Sequence, residues 1–288
     1  MKALTRTARP PASSVPVQVY TPQRMQLPRL RSYLSDLWTR RHFALHLIRS
    51  QLRAQQSGTV FGQLWLVLNP LLLALMYYVL ITILRERQSG IDFLAHLTAC
   101  VFAFHLVSTS VNSSAKSVVR SGKLILNTAF PRSLLPIAAV LTATARFLPT
   151  MLVYAVVHAV AGLPVGPHLL WALVVFAELV VFALGVGLAV SVLQVYFRDL
   201  SNFLPYVTRL WLYSSPVLYF VDQVPDGVKP LLAWNPLVPM LAAWSQVLHD
   251  GRAPDTGYLL QGAVWAVAAL VLGGLFFVSR EREFAVRL

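Results

Sequence analysis

Cysteine and charge are both scarce in this sequence. A single cysteine, Cys100, occurs among 288 residues and lies in an apolar run. This excludes an internal disulfide and a paired-cysteine metal or redox site, and we interpret Cys100 as a small buried apolar residue. Charged residues make up only 12% of the chain and hydrophobic residues 57%, which is not the composition of a soluble protein. The composition therefore predicts an integral membrane protein.

Motifs for nucleotide binding, metal binding and covalent catalysis are also missing. No G-x-x-x-x-G-K-[ST] loop occurs, and the nearest string, 121–123, lacks the preceding glycine. The H-E-x-x-H and G-x-S-x-G patterns are absent as well. We therefore expect no catalytic residue, no metal and no cofactor in this chain. Any ATP and Mg²⁺ would be bound by a partner subunit.

Acidic residues are few compared with basic ones, at 11 Asp+Glu against 24 Lys+Arg, which gives a formal charge of +13. In a membrane protein such an excess is typical of cytoplasmic loops and of contacts with lipid phosphates. We therefore do not expect a nucleic-acid partner.

Long apolar stretches dominate what the sequence does contain, and three of them are interrupted by a single charge, at Arg146, Glu178 and Arg209. A hydrocarbon core of ~30 Å requires ~20 helical residues, and six stretches are long enough. They cover residues 62–84, 93–112, 134–160, 169–193, 202–221 and 257–278. A seventh stretch, 230–248, contains prolines dense enough to break a helix, so we predict two half-helices that enter and leave the membrane on one side, at about 225–250.

The distribution of basic residues supports six crossings. With the amino terminus inside, cytoplasmic segments hold 18 Lys/Arg and outer segments hold four. A seventh crossing would place the Arg-rich carboxyl-terminal end outside, against the positive-inside rule. The predicted fold class is an all-α integral membrane protein with six transmembrane helices and both termini in the cytoplasm.

The region before the first span has two parts. Residues 1–33 are basic and rich in proline, which predicts a disordered tail. Residues 34–56 have the periodicity of an amphipathic helix, and residues 57–288 form the six-span domain. One face of the amphipathic helix carries a basic stripe of His42, His46, Arg49 and Arg53. A helix lying in the membrane surface, with this stripe on lipid headgroups, is the favoured interpretation; an ordinary surface helix is the alternative.

Two opposite charges are predicted to meet inside the membrane. Arg146 lies 12 residues into the third span and Glu178 lies inside the fourth, so adjacent antiparallel helices bring them to similar depth, about 18 Å from the inner end of the third span. We predict an intramembrane ion pair, which is either structural or functional.

Aromatic residues suggest a lining for a sugar. The fifth span carries Arg209 and Tyr213, and continued helical spacing adds Phe220 to the same face. Aromatic faces stack on sugars, whereas a cation attracts a lipid diphosphate. We interpret a wider set as lining a substrate conduit, with interfacial anchoring as the alternative; the set is Tyr77, Tyr78, Arg209, Tyr213, Tyr219 and Phe220.

Four segments in order resemble the membrane subunit of ABC-2 type exporters of lipid-linked polysaccharides, which include O-antigen, teichoic acid and cell-wall galactan exporters. They are 57–70 (SGTVFGQLWLVLNP), 130–136 (FPRSLLP), 195–200 (VYFRDL), and 215–219 (SPVLY) followed by 235–239 (NPLVP). The resemblance covers roughly residues 35–285. It implies a homodimeric permease in the bacterial plasma membrane, docked on two copies of a separate ATP-binding subunit, that exports a polyprenyl-diphosphate-linked polysaccharide.

The resemblance also implies roles for particular residues. The second cytoplasmic loop and the turn after the fourth span would face the ATP-binding subunit, through Lys116, Arg120, Lys123, Arg198 and Asp199. Asp199 either pairs with Arg198 or caps the next helix.

The re-entrant segment would form an outer gate with Trp234, Asn235, Pro236 and Trp244. Interfacial anchoring is the alternative for the two tryptophans.

Two other functions stay open at this point. The first is an ABC-2 exporter of drugs or small lipids, which needs no polymer-wide conduit. The second is a membrane polyprenyl-phosphate sugar transferase or polymerase, for which the acidic pairs Asp222 with Asp226 and Asp250 with Asp255 are candidates. The Pro- and Gly-rich flanks of these pairs favour solvated outer loops instead.

Overall fold

The computed structural model describes residues 30–54, 64–84, 90–227 and 229–287. Every long regular element in these residues is an α-helix, which confirms the predicted all-α class. Predictions for residues 1–29, for 55–63 and for the loop at 85–89 lie outside the described residues.

Two helices, rather than one, occupy the described residues 30–54 before the first span. Helix α1 covers Leu30–Thr39 and α2 covers Arg41–Ala54, with a turn at Arg40. The predicted tail at 1–33 is therefore wrong for its last four residues, which are helical. Helix α2 packs along the start of the third span, and Thr142 there donates a hydrogen bond to Gln51 Oε1 at 3.0 Å.

Five described helices are long and apolar enough to cross a membrane. They are α3 (Trp65–Leu84), α4 (Ile91–Arg120), α6 (Leu134–Val160), α7 (Trp171–Tyr196) and α11 (Thr256–Arg280). Helix α4 continues eight residues beyond its predicted end and is followed by a short α5 (Gly122–Asn127). The core lies among α4, α6 and α7, where α4 is largely buried. Helix α3 packs on α4 and α6 and is mostly exposed.

The predicted fifth span is shorter than expected. Helix α8 covers Leu200–Ser214, and its 15 residues extend only ~22 Å. The backbone at Ser215 is extended, at φ −103° and ψ 153°. Pro216 follows, and a proline disfavours the helical conformation for the residue before it. The prediction of one helix over 202–221 is therefore wrong beyond residue 214.

The next segment forms the predicted half-helices, α9 (Lys229–Leu232) and α10 (Leu237–Leu248). Gln261, near the outer start of α11, donates a hydrogen bond to the carbonyl of Ala233 at 3.4 Å, so the turn between α9 and α10 lies below the outer end of α11. At the other end of α10, the Leu248 carbonyl accepts a hydrogen bond from Tyr154 near the outer end of α6. The segment therefore enters and leaves on the same side. A short α12 (Phe284–Arg287) ends the described chain.

The direction of α11 supports this topology. Residue numbers rise together along the contact between α7 and α11, through the pairs Glu178 with Gly262, Gly185 with Gly273, and Tyr196 with Glu283. The two helices are therefore parallel. Both helices run from the outer side to the inner side. The chain therefore leaves α7 at the inner side and must cross the membrane once before α11 begins at the outer side. Helix α8 with the segment after it provides that crossing, and α10 adds none.

Candidate functional site

Three of the predicted conduit residues share one face of the molecule. The rings of Tyr77 on α3 and Tyr213 on α8 lie 6.2 Å apart, edge to face. Tyr77 is buried beneath Tyr213, which is 47% exposed. Arg209 is exposed one turn before Tyr213 on the same helix. This face thus presents a cation and an aromatic ring along one line of α8.

The remaining conduit residues lie elsewhere. Because α8 ends at Ser214, its periodicity does not reach Phe220, and the predicted face from Arg209 to Phe220 is wrong. Phe220 instead packs on His96, with ring centroids 4.1 Å apart. Tyr78 joins the same group by stacking on Phe93, with centroids 6.5 Å apart. Tyr219 donates a hydrogen bond to the Ser214 carbonyl at 3.1 Å, which fastens the turn after α8.

His96 and Trp244 hold the re-entrant helix against α4. His96 is buried, and its Nδ1 lies 2.7 Å from the Ser245 hydroxyl on α10. Trp244 is 3% exposed and donates its indole N–H to the carbonyl of Ala99 at 3.1 Å. Trp244 is therefore a core residue, and the prediction of a lid or interfacial tryptophan is wrong at that position. Sequence reasoning missed His96, because nothing near it in the chain indicates its partner.

Asn235 is a hydrogen-bond centre between α8 and α10. Its Oδ1 accepts the indole N–H of Trp211 at 2.8 Å and the backbone N–H of Leu237 at 3.1 Å. Its amide nitrogen donates to Ser215 Oγ and to the Ser214 carbonyl, both at 3.1 Å. Pro236 then begins α10.

The tip of the re-entrant segment is asymmetric. Trp234, directly before Asn235, is 78% exposed. The two neighbouring residues therefore face in opposite directions, one into the protein and one out of it.

Arg146 and Glu178 do not form the predicted ion pair. Arg146 and Glu178 do lie at similar depth, because the ring of Phe147, next to Arg146, stacks on the ring of Phe176, two residues before Glu178, with centroids 5.3 Å apart. The directions differ: Glu178 Oε2 faces Gly262 on α11, where it is buried without a hydrogen-bond partner among the described residues. Arg146 lines a cavity between α3, α4 and α6. Residues one or two positions apart on a helix point about 100° or 200° away from each other, so neighbours of a stacked pair need not meet.

The basic stripe on α2 is exposed as predicted. All four of its residues are on the surface, and three of them line one shallow groove of about 610 Å³ together with Ser50; the three are His46, Arg49 and Arg53. The other basic residue of the stripe, His42, lies one turn earlier. Binding of lipid headgroups by this stripe stays a prediction.

The predicted coupling residues lie at the inner ends of three helices. Lys116 and Arg120 belong to the last turns of α4 rather than to a loop, and Lys123 is exposed on α5. Arg198 and Asp199 are exposed in the turn between α7 and α8. Asp199 neither caps α8 with its side chain nor pairs with Arg198 within the described chain, so both local explanations for it are wrong.

A cluster at this inner end was not predicted. The Tyr33 hydroxyl lies 2.6 Å from Glu281 Oε2 and 2.7 Å from Ser133 Oγ. Glu281 also accepts the backbone N–H of Arg132. Burial, followed by the Glu281 carboxylate, raises the pKa of the Tyr33 phenol, so Tyr33 stays protonated and donates. The cluster ties α1, the start of α6 and the end of α11 together across up to 248 residues of sequence.

A second inner cluster surrounds Tyr196. Its hydroxyl donates to Glu283, and the guanidinium of Arg287 lies over its ring at 4.2 Å. Glu283 also pairs with Arg280 at 3.1 Å. These contacts fix the carboxyl-terminal residues against the end of α7.

Comparison with known proteins connects this arrangement to transport. A family model described as ABC-2 type transporter matches residues 44–249, which is more than half of the chain. The chain is 29% identical to an O-antigen export system permease protein, RfbA, of Myxococcus xanthus over 259 residues, covering 87% of this chain and 96% of the relative. An RfbA protein of Klebsiella pneumoniae is also 29% identical, over 71% of this chain and 79% of its own length. The polysialic acid transport protein KpsM of Escherichia coli is 21% identical over 82% of this chain and 92% of its own.

Proposed function

This chain belongs to the ABC-2 type transporter family, and we propose that it is the permease subunit of an exporter of polyprenyl-diphosphate-linked polysaccharide. It is a multi-pass protein of the bacterial inner membrane. The observation that carries the proposal is the similarity to the Myxococcus xanthus O-antigen export permease, which extends over nearly the whole of that relative. The cargo class is taken from the printed names of two kinds of relative, one for O-antigen and one for polysialic acid.

The conduit would require a second copy of the chain. The helices α4, α6 and α7 pack closely on one another and leave no polymer-wide passage among themselves. A two-fold homodimer is the commonest way to create a passage between subunits. In this arrangement the face with Arg209 and Tyr213 is the best candidate for the lining, because it is exposed and carries groups that suit a diphosphate and a sugar.

The energy would come from a separate ATP-binding subunit, which would also hold Mg²⁺. Exposed charges at the inner ends of α4, α5 and α7 offer contacts for it; they are Arg120, Lys123, Arg198 and Asp199. The exposed Asp199 supports this assignment, since its side chain neither caps α8 nor forms an ion pair with another described residue. Closure of the ATP-binding dimer would move the inner ends of these helices as rigid bodies.

One of the two acidic pairs considered for the sugar-transferase alternative is held in internal contacts. Asp250 and Asp255 are bridged by Arg252, whose nitrogens lie 3.3 Å from each carboxylate. Asp255 also accepts a hydrogen bond from Gln246 at 2.6 Å. These contacts give the acidic pair a structural role in the turn between α10 and α11.

Depletion of the protein in its host tests the proposal directly. Radiolabelled sugar is followed into the lipid-extractable fraction and the exported fraction. We expect full-length polymer to accumulate on its lipid carrier, because synthesis continues while export stops. Loss of the lipid-linked polymer would instead indicate a transferase or polymerase. An unchanged profile would refute polysaccharide export and favour a small-molecule exporter.

A further inference from the structure

A cavity of about 340 Å³ lies between the end of α2, the start of α3 and the middle of α4 and α6. Its walls are partly apolar, with Leu52 from α2 and Phe102 from α4. Polar side chains from each of the three spans also line it: Asn69, His105, Thr109, Arg146 and Thr150. Asn69 is exposed at the start of α3, so the cavity reaches the surface there.

The depth of this cavity follows from its contacts with α2. Gln51 on α2 accepts a hydrogen bond from Thr142 on α6, and Arg146 lies four residues further along α6. Four residues of helix correspond to ~6 Å, so Arg146 is about one turn deeper than α2. Because α2 is amphipathic with an exposed basic stripe, it has the character of a helix at the membrane surface. Arg146 therefore lies inside the membrane, about one helical turn below a helix that runs along its surface.

The charge of Arg146 is not balanced within the described part of the chain. Its guanidinium takes part in none of the ion pairs there, and Glu178 faces a different helix. An arginine inside a membrane is costly unless an anion or water satisfies its donors. A phosphate group matches the planar guanidinium in charge and accepts two parallel hydrogen bonds from it.

The other polar groups suit the same ligand. The Asn69 amide and the Thr109 hydroxyl are donors, and Thr109 Oγ1 lies 3.4 Å from His105 Nε2 on the preceding turn of α4. Leu52 and Phe102 provide the apolar surface that the first carbons of a lipid need. The groove with Arg49 and Arg53 on α2 lies beside Leu52 in the chain and offers cations at the surface above.

We propose that this cavity binds the phosphate ester of an anionic membrane lipid, with Arg146 as the charged contact and Asn69 and Thr109 as hydrogen-bond partners. The ligand chemistry has two possible sources: an anionic phospholipid of the bilayer, or the diphosphate of a polyprenyl carrier. Only the second source rests on the proposed function. The first would make this a resident-lipid site whatever the cargo of this chain.

Lipid binding to the purified full-length protein tests the proposal. The delipidated protein is titrated with dioleoyl phosphatidylglycerol, polyprenyl diphosphate or dioleoyl phosphatidylcholine, and bound lipid is counted by native mass spectrometry. We expect one site with at least about tenfold preference for an anionic lipid over phosphatidylcholine. Arg146→Gln should abolish the preference. Arg146→Lys should keep part of it, because lysine retains the charge but not the paired hydrogen bonds.

Two further variants keep the result interpretable. Arg252→Gln removes the same charge from the outer loop and should bind like the wild type. Asn69→Ala changes an exposed residue at the edge of the cavity and should weaken binding several-fold even if Arg146→Gln does not fold.

The outcomes separate the two sources of phosphate. Preference for polyprenyl diphosphate over phosphatidylglycerol would assign the site to the carrier lipid, and equal binding would assign it to a resident phospholipid. An absence of preference in the wild type, or anionic binding unchanged in both Arg146→Gln and Asn69→Ala, would overturn the proposal. Because the titration measures lipid binding and not transport, a negative result would leave the proposed function standing.

Discussion

At the scale of single residues, Asn235 attaches the start of α10 to the end of α8. Its side chain meets groups from both sides of the break after α8, including Trp211 and Ser215. Asn235→Ala removes the acceptor that the indole N–H of Trp211 and the backbone N–H of Leu237 share. Leaving a buried donor without an acceptor typically costs about 1–3 kcal/mol. We expect a clearly lower thermal unfolding temperature for this variant in detergent.

The adjacent residue provides the control for that measurement. Trp234 is 78% exposed, so Trp234→Ala removes little internal contact and should change the unfolding temperature much less. Equal losses in the two variants would contradict the role assigned to Asn235.

Glu178 behaves differently from a paired intramembrane carboxylate. Its Oε2 is buried beside Gly262 and has no hydrogen-bond partner among the described residues. Replacing a carboxylate in such a place with an amide removes the cost of burying its charge. Glu178→Gln should therefore leave thermal stability equal or increased.

The comparison residue is Glu281, whose carboxylate accepts hydrogen bonds from Tyr33 and Arg132. Glu281→Gln should lower stability in the same assay. The double reversal Arg146→Glu with Glu178→Arg should not restore a protein lost in either single reversal. Rescue by that double variant would show that the two charges meet after all.

At the scale of helices, glycine decides how α7 and α11 pack. A Cβ built at Gly273 would lie 2.0 Å from the carbonyl oxygen of Gly185, so the two backbones are in direct contact. Alanine at either position must push the helices apart, and such overpacking costs roughly 1–3 kcal/mol. We expect Gly273→Ala to lower the unfolding temperature by several degrees.

The next residue is a matched control, because a Cβ at Gly274 would have no atom within 4 Å. Gly274→Ala should be neutral or slightly stabilising, since alanine favours the helix over glycine. If both variants had the same unfolding temperature, close contact of α7 with α11 would not explain the effect of Gly273→Ala.

At the scale of the whole molecule, the exposed face of α8 should govern transport. Tyr213 stands on that face above Tyr77, and its ring is available to a passing sugar. Tyr213→Ala should lower export flux several-fold in a complementation assay at equal protein level, because a stacking surface is lost.

Trp171→Ala is the control for that assay. Trp171 is also an exposed aromatic residue, but it belongs to the start of α7 and not to α8. Its variant should export normally. Normal export by Tyr213→Ala would count against a conduit on this face.

The sequence by itself determined the class, the approximate spans and the re-entrant segment. Hydrophobicity over some twenty residues and the positions of prolines act locally, so the bounds Leu134–Val160 and the break around Pro236 follow from the chain alone. Excess positive charge on one side similarly predicted six crossings, because the charge of the loops does not depend on packing; five described helices are long enough to cross on their own.

Only the tertiary structure decided which way each helix faces. Arg146 and Glu178 have matching depth but point to different neighbours, and Trp244 lies in the core although its position in the chain suggests an interface. The contact of Tyr33 with Glu281 joins residues 248 positions apart. The depth of a residue follows from counting along its helix, whereas the direction of its side chain depends on neighbours from distant parts of the sequence. A membrane helix that is apolar on every side gives no sequence pattern that shows which face is buried.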